Sequence, residues 1–343
     1  MTPRGRVVAY CLDWHVSNSA AFHDLFVLPL EQYAKVTLVP WDGSNLPHAP
    51  QSDEHLPIVF CQIAPPCEIF ERVDATRVVW IPMWDNIRER DQAWWDELPK
   101  QLRVVGFSRA VVARAQRARL PVLPLTFFAD PRQYAPAIWS DGIKLLYWNR
   151  VGLVGPDFLR KLCSVLDAET LLFRPDLDPR IDLDRRYELP GRLGRTAVQV
   201  ISPTDRESYL AHLQSANVFL APRPHEGVGM TFIEALASGC AVLAHNAPAM
   251  SEYISHSENG FLFEATVPMH RRSLGRLRLL GRRDAIPFHL PLDQDWRALK
   301  SLDLRAVGNS ARESQSQGFP RWQASLAEYV RFVLDERCAF ATT

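Results

Sequence analysis

The sequence lacks any excess of charge. Lys+Arg and Asp+Glu both number 39 in 343 residues, so the formal net charge is zero. Bulk nucleic-acid binding draws on a strong basic excess, and a neutral chain argues against that class. Paired cysteines are lacking too. Cys11, Cys61, Cys67, Cys163, Cys240 and Cys338 form no C-x-x-C pair, and most lie in apolar runs such as IVFC and SGCAVL. Buried free thiols and a reducing compartment are expected, not a disulfide or zinc framework. No stretch approaches about 18 uninterrupted apolar residues, which excludes a membrane-spanning helix. The opening residues, MTPRGRVVAYCLDW, have an apolar run that is short and broken by Asp13, so no signal peptide is expected and the chain reads as cytoplasmic. There is no H-E-x-x-H and no G-x-S-x-G, and His15, His23, His225 and His256 show no i, i+4 spacing. Zinc hydrolysis and serine-nucleophile chemistry lose their usual signatures, and no metal site is expected.

What is present is ordinary globular composition, 47% apolar and 23% charged, in a chain long enough for two domains. Short β-like runs (RVVAYCL, VTLVPW, LPIVFCQ, RVVWIPM, RVVGFS) alternate with helix-like stretches (FHDLFVLPLEQYA, WWDELPKQL, AVVARAQRA). Such alternation predicts an α/β fold with a parallel sheet covered on both faces. Residues 129–142, with two prolines, a glycine and no periodicity, read as a linker. A second α/β series follows. The expectation is a first Rossmann-like domain over 1–128, a second over 129–320, and a terminal helix at about 321–337. Ligands of such sheets bind at the carboxyl ends of the strands, and two consecutive sheets make a cleft.

The run from 217 to 263, NVFLAPRPHEGVGMTFIEALASGCAVLAHNAPAMSEYISHSENGFLF, carries the chemistry. A buried strand over Val218–Ala221 ends at Pro222. A turn with His225, Glu226, Gly227 and Gly229 follows, and a helix runs from about Met230 to Gly239. A helix N-terminus opening from a glycine-bearing turn offers free N–H groups and a favourable dipole to an anion. His225 lines that site or is simply a turn residue. Glu234 falls one turn into the helix among Phe232, Ile233, Ala235 and Leu236, and a carboxylate there needs a partner. Two readings stay open: vicinal hydroxyls such as those of a ribose, or a structural arginine.

These residues resemble the retaining glycosyltransferases of family 4, which have the GT-B fold. The shared pattern is Pro222, Glu226-Gly227, Glu234-Ala235, Ala237, Gly239 and the strand Ala241-Val242-Leu243, then Glu252 and Asn259-Gly260. Weaker likeness runs through VVGFSRAVVARAQRARLPVLPLTFFADPRQYAP, with Ser108 and Asp130, and through KLLYWNRVGL, SPTDRESYLAHLQSANVFLAP and the closing GFPRWQASLAEYV. The closing helix crosses back to the first domain in that family. The resemblance implies GT-B architecture and transfer of a hexose-type sugar from a UDP- or GDP-sugar, with anomeric configuration retained and no metal or other cofactor. The acceptor would be a glycan, a lipid-linked sugar or a polysaccharide. Glu234 would hold the ribose and Glu226 the transferred sugar. Arg150 and the backbone of Gly227, Val228, Gly229, Met230 and Thr231 would meet the departing phosphate, with His225 beside them. Fixed donors at a growing negative charge lower such a barrier.

The chain departs from the family in three places. No lysine follows Arg150 closely; Arg160 and Lys161 are the nearest cations. CLDWHVSNSAAF has no glycine loop, leaving Ser17, Asn18 and Ser19 at that helix start. The family's first-domain histidine is missing, and Trp84 and Asp85 stand near its place. These gaps keep a non-catalytic nucleotide-sugar-binding or assembly subunit in view, and a sugar-nucleotide 2-epimerase on the same fold is the other alternative. Two D-x-D triplets, Asp176/Asp178 and Asp182/Asp184, read as acidic loops, with metal binding as their other reading. The one basic concentration, Arg271 to Arg283, is either a solvated helix face or a peripheral contact with an anionic membrane.

Overall fold

The computed structural model describes residues 5–13, 16, 22–43, 56–150, 152, 154–176, 187–263 and 292–334. They fall into two compact units. The first comprises 1–128, 225–228 and 318–343; the second comprises 129–224 and 229–317.

The first unit is built on strands β1 (Gly5–Cys11), β2 (Ala34–Pro40), β3 (Ile58–Gln62), β4 (Val78–Pro82), β5 (Arg103–Gly106) and β6 (Val122–Pro124). The sheet order is β2-β1-β3-β4-β5-β6, and all its pairings are parallel. All five residues of β4 are buried, as a strand covered on both faces requires. Around them lie helices α1 (Leu28–Glu31), α2 (Trp84–Ile87), α3 (Gln92–Asp96) and α4 (Arg109–Arg117). Ser108 caps α4, its Oγ accepting from the Val111 N–H at 3.3 Å. The core is unusually aromatic: Trp80 packs on Trp95 at 5.2 Å and Tyr10 stacks on Phe60 at 5.1 Å between ring centroids. Residues from the far end of the chain complete it. Trp322 packs against Phe107 and Phe127, and the Tyr329 hydroxyl donates to the Phe26 carbonyl at 3.1 Å.

The second unit holds β7 (Ile143–Trp148), β8 (Ala168–Arg174), β9 (Arg192–Leu193), β10 (Thr196–Val200), β11 (Val218–Ala221), β12 (Ala241–His245) and β13 (Phe261–Phe263). Its order is β13-β12-β11-β7-β8-β10-β9, parallel except for the β9–β10 hairpin, whose turn uses Gly194 at φ +64. Counting from β7, the six parallel strands take the doubly wound order, in which the winding reverses between the first and fourth strands, here β7 and β11. Buried Asn217 fixes the start of β7: its Oδ1 accepts from the Lys144 N–H at 2.9 Å, and its Nδ2 donates to the Ile138 and Gly142 carbonyls. The helices of this unit are α5 (Pro156–Leu166), α6 (Arg206–Gln214), α7 (Met230–Ser238), α8 (Met250–Tyr253) and α9 (Trp296–Ser301).

The last helix, α10 (Leu304–Leu334), has 31 residues and begins well before the expected 321. Pro320 lies inside it. A proline removes one backbone donor, and with Gly308 and Gly318 it hides the helix from a propensity reading. Packing overrides that. A Cβ at Gly318 would come 2.1 Å from Phe128, and one at Gly308 would come 2.2 Å from the Gly239 carbonyl oxygen. Residues 304–317 of α10 belong to the second unit and 318–334 to the first. Of the cysteines, Cys11, Cys61, Cys163 and Cys240 are buried free thiols, but Cys67 is exposed, on a short 3-10 turn after Pro66. Cys338 lies outside the described residues.

Candidate functional site

The winding of the second sheet reverses between β7 and β11, and the crevice at such a reversal is where doubly wound sheets take ligands. The residues leaving those two strands build the candidate site.

Asn149 and Arg150 follow β7. Asn149 is fully buried; its N–H donates to the Arg174 carbonyl at 2.8 Å, and its Oδ1 accepts from the Tyr147 hydroxyl at 2.8 Å. Arg150 is half-buried, and its guanidinium lies 5.4 Å from the centroid of the Trp148 ring. Arg174, at the end of β8, stacks on the same indole at 4.0 Å and pairs with Asp176 at 2.9 Å. The Trp148 Nε1–H donates to the Asp176 carbonyl at 2.8 Å. Asp176 of the first D-x-D triplet is therefore part of an arginine–tryptophan cluster. Asp178, Asp182 and Asp184 lie outside the described residues, as do Ser17, Asn18, Ser19 and the Arg271–Arg283 stretch. Among the described residues no group of three or more His, Cys, Asp and Glu could hold a metal. Arg160 is exposed on α5 and pairs with Asp157.

After β11 comes the turn. Its residues His225, Glu226, Gly227 and Val228 group with the first unit, while Gly229 and α7 group with the second. Within the first unit, Gly227 lies so close to Met83 that a Cβ there would come 2.8 Å from the sulfur. Gly229 is the N-cap of α7 in the left-handed region, at φ +79, where a Cβ would also come 2.0 Å from the Phe232 ring. Glycine meets both demands without steric cost. Gly239 closes the helix at φ +80. Met230 and Thr231, in the first turn, are half-buried, and every residue from Phe232 to Ser238 is buried.

Glu234 is therefore a carboxylate in a helix buried all round, itself 1% exposed. An arginine does meet it: Arg206, in the first turn of α6, pairs with its Oε1 at 2.8 Å. A capping box sets that turn, the Asp205 carboxylate accepting from the Ser208 N–H at 2.8 Å. Tyr134 completes the cluster, its phenol lying close enough to feel the charges of both Glu234 and Arg206. Burial, reinforced by the Glu234 charge, pushes the Tyr134 phenol up to about 12. Burial and the same charge hold the Tyr209 phenol well above its usual range. Arg312 of α10 holds the Tyr134 segment in place, donating to the carbonyls of Pro131 at 2.7 Å, Tyr134 at 3.2 Å and Ala237.

The pattern in the sequence located Glu234 and not its neighbours. Tyr134 falls in a segment that reads as linker, and Arg206 precedes Glu234 by a helix and a strand. The local signal for Arg206 was the Asp205/Ser208 cap, which fixes where α6 begins. Of the other expected residues, Ser108 and Asp130 are caps. Asp130 starts a 3-10 turn, and its hydrogen bonds to Arg132 hold its carboxyl below the usual range. Trp84 and Asp85 open α2 beyond β4, and Arg114 lies 5.0 Å from the Trp84 ring centroid.

Residues 191–270 match the family model of the Glycosyl transferases group 1. No curated protein sequence matches the chain. Among solved structures, a sucrose-phosphate synthase from Thermosynechococcus elongatus is similar at 14% identity and TM-score 0.58, over 95% of this chain and 97% of that one. The Anabaena protein HepE, in complex with UDP and glucose, is similar at 13% identity and TM-score 0.58, over 95% and 99%. A glycosyltransferase from Rickettsia africae is similar at 12% identity and TM-score 0.57, over 98% and 100%. At these identities the likeness is one of fold. The chain has the mixed α/β, two-sheet fold of the GT-B glycosyltransferases, as expected from its sequence.

Proposed function

We propose that this protein is a retaining, metal-independent glycosyltransferase that moves a hexose-type sugar from a nucleoside-diphosphate donor to a glycan, lipid-linked or polysaccharide acceptor. One observation carries the reading. At the point where the second sheet reverses its winding, a buried carboxylate, Glu234, is held among polar partners inside a largely apolar, buried helix. The group 1 glycosyl transferase match over 191–270 spans that helix, and the similar HepE structure contains UDP and glucose.

In this reading Glu234 accepts from the ribose hydroxyls, since an ionised carboxylate only accepts. Glu226 holds hydroxyls of the transferred sugar. Arg150 and the amides of Gly227, Val228, Gly229, Met230 and Thr231 stabilise the charge that grows on the diphosphate as the glycosidic bond breaks, with His225 lining the turn. The leaving phosphate takes the acceptor's proton. Cations and amides do the work that a divalent ion does elsewhere. Among the described residues no helix is long and apolar enough to cross a membrane, and the basic 271–283 stretch is the segment we assign to peripheral contact with an anionic membrane.

The test is a thermal-shift screen against UDP, GDP, ADP, CMP and dTDP, with and without EDTA. A ligand at about 100 times its Kd adds roughly 2.7 kcal/mol to the folded state. One nucleoside diphosphate should stabilise the protein whether or not EDTA is present. Glu234→Ala should weaken its binding by about 1.5–3 kcal/mol, the range for hydrogen bonds to a charged group. No shift with any nucleotide would overturn the donor reading, and a shift lost with EDTA would overturn metal independence.

A further inference from the structure

The buried charged side chains among the described residues are Arg103, Asp130 and Glu234, and Glu234 is the deepest. Phe232, Ile233, Ala235 and Leu236 flank it in its own helix, Thr231 lies one turn before it, and Ser238, one turn after, donates its hydroxyl to the Glu234 backbone carbonyl at 2.9 Å. A carboxyl in such surroundings takes up a proton unless a charge or a donor prevents it. A protonated carboxyl would no longer accept through both oxygens. How Glu234 stays ionised is therefore a question about what faces it.

Three segments do. The second unit's 129–142 segment contributes the Tyr134 hydroxyl, α6 contributes Arg206 and Tyr209, and the Cys240 thiol lies near Tyr209 just beyond α7. Two of these stay neutral far above physiological pH, the Tyr134 phenol and the Cys240 thiol, each pushed by burial to about 12. Burial also holds the Tyr209 phenol well above its usual range. The guanidinium of Arg206 is the one permanent positive charge in this set, 2.8 Å from Oε1. Its side chain is 43% exposed while that of Glu234 is 2% exposed, so the arginine is the member of the pair that meets water.

We propose that Arg206 is a positioning residue for nucleotide binding: its guanidinium keeps the Glu234 carboxylate ionised and aimed, so that the carboxylate can accept from the ribose of a nucleoside diphosphate. The ligand half of this proposal rests on the donor reading above. The charge half does not, and the two are tested separately.

Without ligand, the measurement is the urea unfolding midpoint from pH 5 to pH 8.5 for the wild type, Arg206→Gln, Arg206→Lys, and Arg206→Gln combined with Glu234→Gln. Losing the guanidinium raises the folded-state pKa of Glu234 above its unfolded value. The stability of Arg206→Gln is then greatest at low pH and falls as pH rises through the raised value. Against the wild type, its midpoint should decline from pH 5 to pH 8.5. Adding Glu234→Gln should abolish the decline, and Arg206→Lys should follow the wild type. A decline that survives Glu234→Gln, or no decline, would overturn the proposal. Should Arg206→Gln fail to fold, recovery of folding on adding Glu234→Gln supports the same conclusion, and failure of both overturns it.

With ligand, the measurement is calorimetric affinity for UDP, GDP and ADP at pH 6, 7 and 8. Wild type and Arg206→Lys should bind their preferred nucleotide with the same affinity throughout. Arg206→Gln should lose about tenfold in affinity for each pH unit below the raised Glu234 pKa. A pH-independent affinity in a folded Arg206→Gln would overturn the ligand half. No binding by the wild type would overturn the donor reading itself and leave the unfolding result to decide the charge half.

Discussion

Gly308 of α10 and Gly239, which closes α7, meet backbone to backbone: a Cβ at 308 would come 2.2 Å from the Gly239 carbonyl oxygen and 2.9 Å from the Trp139 ring. The carbonyl belongs to a main chain held at φ +80 by the cap, so it cannot swing aside as a flexible side chain would. Gly308→Ala gains helix propensity, up to about 1 kcal/mol, but overpacking costs typically about 1–3 kcal/mol. We expect a net loss of about 1–2 kcal/mol in urea unfolding. Gly191→Ala, where nothing lies within 4 Å, is the control and should be near neutral. Equal stability of the two variants would show that α10 and α7 are not in such close contact.

Ala249 precedes α8 at φ +73 and ψ −65, a conformation that burdens any residue with a Cβ. Strain of this kind costs about 1–3 kcal/mol, while the greater freedom of glycine in the unfolded chain costs folding about 0.5–1 kcal/mol. Ala249→Gly should therefore raise stability by about 1 kcal/mol. A loss of stability would mean that the main chain at 249 adopts negative φ.

Tyr134 gives the protein an alkaline limit. Its folded pKa is pushed by burial and by Glu234 from 10.0 to about 12. Because the folded value lies above the unfolded one, the stabilisation is complete below pH 10 and is lost as pH rises toward about 12. Tyr134→Phe should flatten part of the decline in unfolding free energy over that window. Other buried phenols, such as Tyr147 and Tyr329, keep the remainder. An unchanged slope would place the Tyr134 hydroxyl outside the Glu234 cluster.

Cysteine labelling separates surface from interior. Cys67 is exposed, while burial raises the thiols of Cys11 and Cys163 to about 11 and Cys240 to about 12, and holds Cys61 well above its usual range. The thiolate is the reactive form. At pH 8 in native buffer, a thiol reagent followed by peptide mapping should modify Cys67 within minutes and leave these four unmodified until urea is added. Rapid native labelling of Cys61 would contradict its place on β3.

The fold class could be read from the chain because parallel strands buried on both faces are continuous apolar runs, and VVWIP and AVLAH show it plainly. The bounds of α7 were equally visible, since Gly229 and Gly239 stand where left-handed backbone is needed. Strand order was not visible: nothing local in β7 or β11 says that they pair with each other. Nor could the sequence decide between a ribose and an arginine for Glu234. Both answer the same need for a partner, and Arg206 reaches the carboxylate only through the packing of α6 on α7. Tyr134 was hidden for a different reason. The segment around it has two prolines and no period, so its order comes from Asn217 and Arg312, residues far away in sequence. The grouping of 225–228 with the first unit had no signal in the residues themselves.

The sharing of α10 between the units affects how the protein is made. Trp322, Tyr329 and Val333 are buried in the first unit, yet they are synthesised long after the residues up to Phe128 that they pack with. Domains usually fold in the order in which they are synthesised. Here the first 128 residues emerge early with an unfinished core and wait for some two hundred more before it can close. The second unit, complete at Gln317, can fold before the one that precedes it. During synthesis the exposed apolar surface therefore belongs to the N-terminal half, and that half is where chaperone binding and early misfolding should concentrate.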